Sequence, residues 1–67
     1  MITVKLNGKE KQAKEAITVA AFLMENGIDP YQTAAELNFE ALNPQELPKT
    51  ILKDGDILEV LRFVGGG

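Results

Sequence analysis

The sequence predicts an α+β domain in which a sheet carries one main helix on one of its faces. Three observations predict it. Residues 1–6 and 33–39 alternate apolar and polar side chains, as half-buried strands do. Between them, Val19, Phe22 and Leu23 recur at i, i+3 and i+4 behind Thr18, a residue type that caps helices. Residues 57–64 then form an apolar, β-branched run that reads as a strand anchored in a core.

Each element has its local reason. In the first strand Ile2, Val4 and Leu6 share one face, with Thr3 and Lys5 on the other. Asn7 and Gly8 are the dipeptide a type I′ hairpin turn requires. The return segment, residues 10–16, is polar and suits an edge strand, whose charges discourage pairing with another chain. Ile17, just ahead of Thr18, is placed to staple onto Phe22. Asn26 and Gly27 end the helix, Gly27 taking the left-handed conformation and Ile28 making the apolar contact beyond it. Asp29 and Pro30 break the chain into a connection. In the third strand Ala35, Leu37 and Phe39 lie opposite Ala34, Glu36 and Asn38. Residues 40–53 are irregular, because Pro44 and Pro48 exclude a long helix. One helical turn fits between those prolines, and Leu42, Leu47, Ile51 and Leu52 are expected to pin the crossover to the core. Lys53, Asp54, Gly55 and Asp56 form a tight turn before the last strand. There Leu58 and Val60 are expected to face the core, leaving Ile57, Glu59, Leu61 and Phe63 on the other side.

Composition narrows the function. Sixty-seven residues make one small domain, expected as a folded unit over residues 1–64 with a glycine tail at 65–67. A chain of this size buries only about 60% of its unfolded surface, leaving little material for a catalytic cleft. The net charge of −3 disfavours nucleic acid, which demands a basic stripe. There is no cysteine and no histidine, so thiolate metal sites, disulfides and the usual general base are all missing. No metal site and no catalytic residue are expected. The apolar run at residues 17–24 is far too short to span a bilayer, and residues 1–5 do not read as a signal peptide. A cytoplasmic monomer is the expectation. Asp54 and Asp56 flank a glycine with no metal motif nearby, so turn chemistry accounts for them better than acid–base catalysis.

The remaining feature is the end of the sequence, where the strand runs into Gly65, Gly66 and Gly67. Three glycines reach roughly 10 Å when extended, and without Cβ atoms they fit a channel too narrow for side chains. Such a tail is also what a frayed terminus looks like. Read as the true end, it presents the α-carboxylate of Gly67. That group ionises at about 3.3–3.7, so at neutral pH it is a poor electrophile that another enzyme must activate. Leu61 and Phe63, beside the tail on the uncovered face, form a candidate partner interface.

Element order, length and closing residues resemble the small ubiquitin-like sulfur carriers of thiamin thiazole biosynthesis, the ThiS family. The resemblance rests on Glu36, Leu37 and Asn38 followed by Glu40, on residues 52–56, and on residues 62–67. It covers the whole chain. Phe39 stands where the family usually has glycine, and Asn43 and Pro44 replace a common Pro-Arg pair. The resemblance implies a β-grasp fold, with a mixed four- to five-stranded sheet. It implies that an E1-like adenylating enzyme of the ThiF type uses ATP to form an acyl-adenylate on Gly67. An external sulfur donor then yields a Gly67 thiocarboxylate, and Gly65 and Gly66 thread the active sites of that enzyme and of a ThiG-type thiazole synthase. The chain itself would bind no cofactor and act as a protein cosubstrate, not an enzyme. Two related readings stay open: the small subunit of molybdopterin synthase, and a ubiquitin-like modifier joined through Gly67 to lysine. The modifier is the reading from another class, and an interaction domain with an idle tail is the third.

Overall fold

The computed structural model describes the backbone of residues 1–62 and the side chains through Leu61. Along it run β1 (Ile2–Leu6), β2 (Lys9–Ala13), α1 (Val19–Glu25), β3 (Thr33–Leu37), β4 (Glu40–Leu42) and β5 (Ile57–Arg62). The strands form one sheet in the order β2-β1-β5-β3-β4. The first and last strands lie side by side and parallel at its centre, while every other pairing is antiparallel. A mixed five-stranded sheet with one helix is the β-grasp arrangement the sequence leads one to expect.

The core lies between α1 and one face of the sheet. Ile2, Val4, Leu6, Ala35 and Leu58 enter it from the strands, and Val19, Ala20, Phe22 and Leu23 from the helix. Thr18 caps α1 by accepting a hydrogen bond from the Ala21 amide at 3.1 Å. At the other end Ile28 N–H donates to the Leu23 carbonyl at 2.9 Å and Gly27 N–H to Met24 at 3.1 Å, the Schellman pattern. Gly27 has φ +75°, and Ile28 is buried, so the chain stops the helix and anchors the exit in one motif. A helix of seven residues is too short to persist alone, and its stability comes from these caps and its buried face.

Four expectations are corrected. The return strand ends at Ala13, not at residue 16: Ala13 packs into the core opposite Ile2, and the chain then turns toward α1 through Ala16 at φ +66°. The third strand stops at Leu37. Asn38 and Phe39 have φ +52° and +71° and form a two-residue hairpin, so Phe39 sits exposed at a turn and does not share the face of Ala35. The crossover consequently opens with β4, which a run as short as Glu40–Leu42 does not advertise. Finally, Leu47 and Leu52 are buried but Ile51 is half exposed, because alternate residues of the extended segment point opposite ways. A short 3₁₀ turn at Pro44–Glu46 occupies the space between the prolines.

Candidate functional site

β5 is the last described element ahead of the three glycines in the sequence, and side chains from several turns hold it in the sheet. The turn ahead of it is built by its acidic residues. Asp56 Oδ2 accepts from the Lys53 amide at 2.8 Å, and Asp54 Oδ1 accepts from the Thr3 amide at 2.8 Å. Gly55, at φ +87°, donates its N–H to the Thr3 carbonyl, and Lys5 N–H donates to the Asp56 carbonyl. These carboxylates therefore start β5 in register with β1, and their role is the turn chemistry expected of them.

Two asparagines extend the grip, each from the first position of a two-residue hairpin turn. Asn38 accepts from the Ile57 amide through Oδ1 at 2.9 Å and donates from Nδ2 to Asp56 Oδ1 at 3.1 Å. Asn7 accepts from the Val60 amide through Oδ1 at 2.8 Å and donates from Nδ2 to the Val60 carbonyl at 3.2 Å. Both have positive φ, +49° for Asn7 and +52° for Asn38, a conformation asparagine adopts more readily than most residues. The turn position of Asn7 is legible in the sequence, whereas that of Asn38 is hidden in apparent strand alternation; the side-chain grips of both on a strand more than fifteen residues away are not legible, because they depend on which strand becomes the neighbour.

On the side of the sheet away from α1 there is no covering layer among the described residues. Leu61 lies there, 68% exposed, directly opposite Ala34, whose methyl group is too small to shield it. Val60, one residue earlier, packs against the core. The expected phase of β5 therefore holds through Leu61. Next to Leu61, Glu59 stands opposite Glu36 in the register, and both are exposed. Neither has a cation within ion-pair distance among the described residues. A shallow groove of about 360 Å³ runs past Asn7, Ala34, Ala41 and Leu61. The interface candidate Leu61 is thus on an open face at the exit of β5. Its companion Phe63, and the tail residues Gly65, Gly66 and Gly67, lie outside the described residues. Among the described residues, no group of three or more potential ligands could hold a metal, and no helix is long and apolar enough to cross a membrane.

Comparison with known proteins gives this arrangement its relatives. The sulfur carrier protein ThiS of Thermus thermophilus is 39% identical over 64 residues, which cover 96% of this chain and 98% of that protein. The thiazole synthase of Paramagnetospirillum magneticum is 37% identical over 62 residues, 92% of this chain but 19% of the synthase. The thiazole synthase of Magnetococcus marinus behaves alike, with 31% identity over 64 residues and 20% of its length covered. The chain thus spans about a fifth of the length of these two relatives. Among solved structures, the thiamine biosynthesis protein ThiS from Geobacter metallireducens superposes with a TM-score of 0.82 at 32% identity, over 98% of this chain and 100% of that one. The ThiS family model matches residues 4–67, from the second inward side chain of β1 through the last glycine, and the chain belongs to the ThiS family.

Proposed function

We propose that this protein is the sulfur carrier for thiazole formation in thiamin biosynthesis, with the Gly67 carboxylate as the group that carries sulfur. The observation that carries the reading is the match of the family model through Gly67, on a chain whose last described strand runs toward that residue. The chemistry proceeds in two substitutions. An E1-like adenylating enzyme of the ThiF type joins the carboxylate oxygen to the α-phosphorus of ATP, releasing pyrophosphate. A sulfur nucleophile from an external donor then attacks the acyl carbon and AMP leaves, so the carbonyl carries sulfur where it carried oxygen. The donor must come from outside, since this chain has no cysteine. The same lack removes an internal thiol that would capture the activated acyl group. A reducing cytoplasm is the proposed setting.

The chain's own part is presentation. Glycines 65 and 66 let bare backbone enter the partner pockets, and the open face around Leu61 docks against the partner. The thiazole synthase is the proposed acceptor. Support comes from two relatives named thiazole synthase, each with a region like this chain within a polypeptide about five times as long. Such a linkage places carrier and synthase at high effective concentration. The test is the intact mass of the protein after incubation with its adenylating enzyme, ATP and a sulfur source. Replacement of one oxygen by sulfur at the last residue is expected. An unchanged mass with an active enzyme would contradict the reading, and lysine-linked conjugates on a denaturing gel would point to a modifier instead.

A further inference from the structure

β1 accompanies β5 only briefly. The parallel register pairs Lys5 with Ile57 and Leu6 with Leu58, and the chain then turns away at Asn7 and Gly8 into β2. β5 continues for four residues beyond Leu58. Its other edge stays paired with β3 as far as Arg62 opposite Thr33. On the β1 side the last main-chain bond is from Asn7 N–H to the Leu58 carbonyl at 3.0 Å. The next peptide groups facing that way belong to Val60, and the side chain of Asn7 meets them both. Its Oδ1 accepts from Val60 N–H at 2.8 Å and its Nδ2 donates to Val60 C=O at 3.2 Å. One carboxamide thereby reproduces a full step of a sheet ladder where the neighbouring strand has ended.

The hairpin turn does not require this. A type I′ turn asks only for positive φ at its central positions, which glycine supplies with less strain. The two-handed bond to Val60 is additional, and it lies two residues before the end of β5. Without it, the exit of β5 would be held along one edge only and would open as edge strands do.

We propose that Asn7 is a positioning residue for carrier activation: by clamping Val60 it keeps the exit of β5 in the sheet and so fixes where the tail departs. This rests on the reading that the tail is the reacting group. Asn7 is not itself the reacting group, and its effect is on the fraction of molecules whose tail starts from the correct place. An affinity is weakened in proportion to the fraction that is competent.

The test compares Asn7→Gly, which keeps the turn and deletes the clamp, with Asn7→Asp, which keeps the acceptor and loses the donor. Asn26→Ala serves as a control, since it removes the Asn26 bond to the Phe22 carbonyl at the far end of α1. ATP–pyrophosphate exchange is measured with the adenylating enzyme over a range of carrier concentration, and amide hydrogen exchange is followed by NMR. Asn7→Gly is expected to raise the KM for carrier about five-fold with kcat nearly unchanged, the scale of one modest hydrogen bond. Asn7→Asp should fall between it and wild type, and Asn26→Ala should leave KM alone. Exchange at the Val60 amide should quicken in Asn7→Gly more than exchange within β1. A wild-type KM for Asn7→Gly, or a Val60 amide protected as in wild type, overturns the role of Asn7. A wild-type carrier that is not adenylated at all overturns the tail reading, and the positioning role with it, while Val60 protection separately reports whether the clamp exists.

Discussion

Phe39 is an aromatic residue in a left-handed backbone conformation, φ +71°, and is 73% exposed. The left-handed region costs a residue with a Cβ roughly 1–2 kcal/mol, and an exposed ring recovers little of that by burial. Glycine would relieve the strain but add freedom to the unfolded chain, which takes back part of the gain. Phe39→Gly is therefore expected to stabilise the protein by about 0.5–1 kcal/mol, raising the melting temperature by several degrees in a domain of this size. Thermal melts and urea titration check this; a lower midpoint would show that the ring makes contacts that matter. The resemblance drawn from the sequence marks Phe39 as a departure from the expected family pattern, yet alternation with Ala35 and Leu37 disguises the turn as strand. Only the tertiary pairing of Leu37 with Glu40 distinguishes the two, and that pairing is not written in local periodicity.

At the scale of elements, the pattern of buried side chains is where the sequence is most readable. Alternation places Ile2, Val4 and Leu6 correctly, and helical spacing places Val19, Phe22 and Leu23. Strong turn chemistry at Asn7, Gly27 and Gly55 fixes three of the connections. What escapes is short or polar: β4 has three residues, and its existence depends on the hairpin before it. In the candidate site, Leu61 is legible because Leu58 and Val60 already claim the core, whereas the clamp from Asn7 requires knowing that the first and last strands are neighbours. Two substitutions separate the faces of this architecture. Phe22 is fully buried, so Phe22→Ala should cost about 3–5 kcal/mol and leave little of the stability of so small a domain. Circular dichroism should show a largely unfolded chain near body temperature; an unchanged melt would refute its place in the core. Leu61→Asp, on the open face, should alter stability by no more than about 0.5 kcal/mol. The same variant should weaken binding to the adenylating enzyme, read by titration calorimetry, and full affinity would remove Leu61 from the interface.

At the scale of the whole molecule, the contacts among the described residues gather around one strand, β5. Both asparagine grips, the acidic turn and the central position of β5 converge on the segment that precedes the tail. In the proposed function the chemistry lies at the Gly67 carboxylate, and ATP used by a partner supplies its activation. Position is then everything the protein contributes. Removing Gly67 shortens the reach by about 3.5 Å, and a displacement of about 1 Å can already cost 10²-fold in a reaction that needs near-attack geometry.

The measurement that bears most directly on this claim is ATP–pyrophosphate exchange catalysed by the adenylating enzyme with full-length carrier and with the Gly67 deletion, alongside thermal melts of both. The deletion is expected to melt as the full-length protein does, because it leaves the described core intact. Its exchange rate is expected to fall by about 10²-fold or more. Exchange at the full-length rate by the folded deletion would contradict the account, since it would show that the Gly67 carboxylate is not the group being activated.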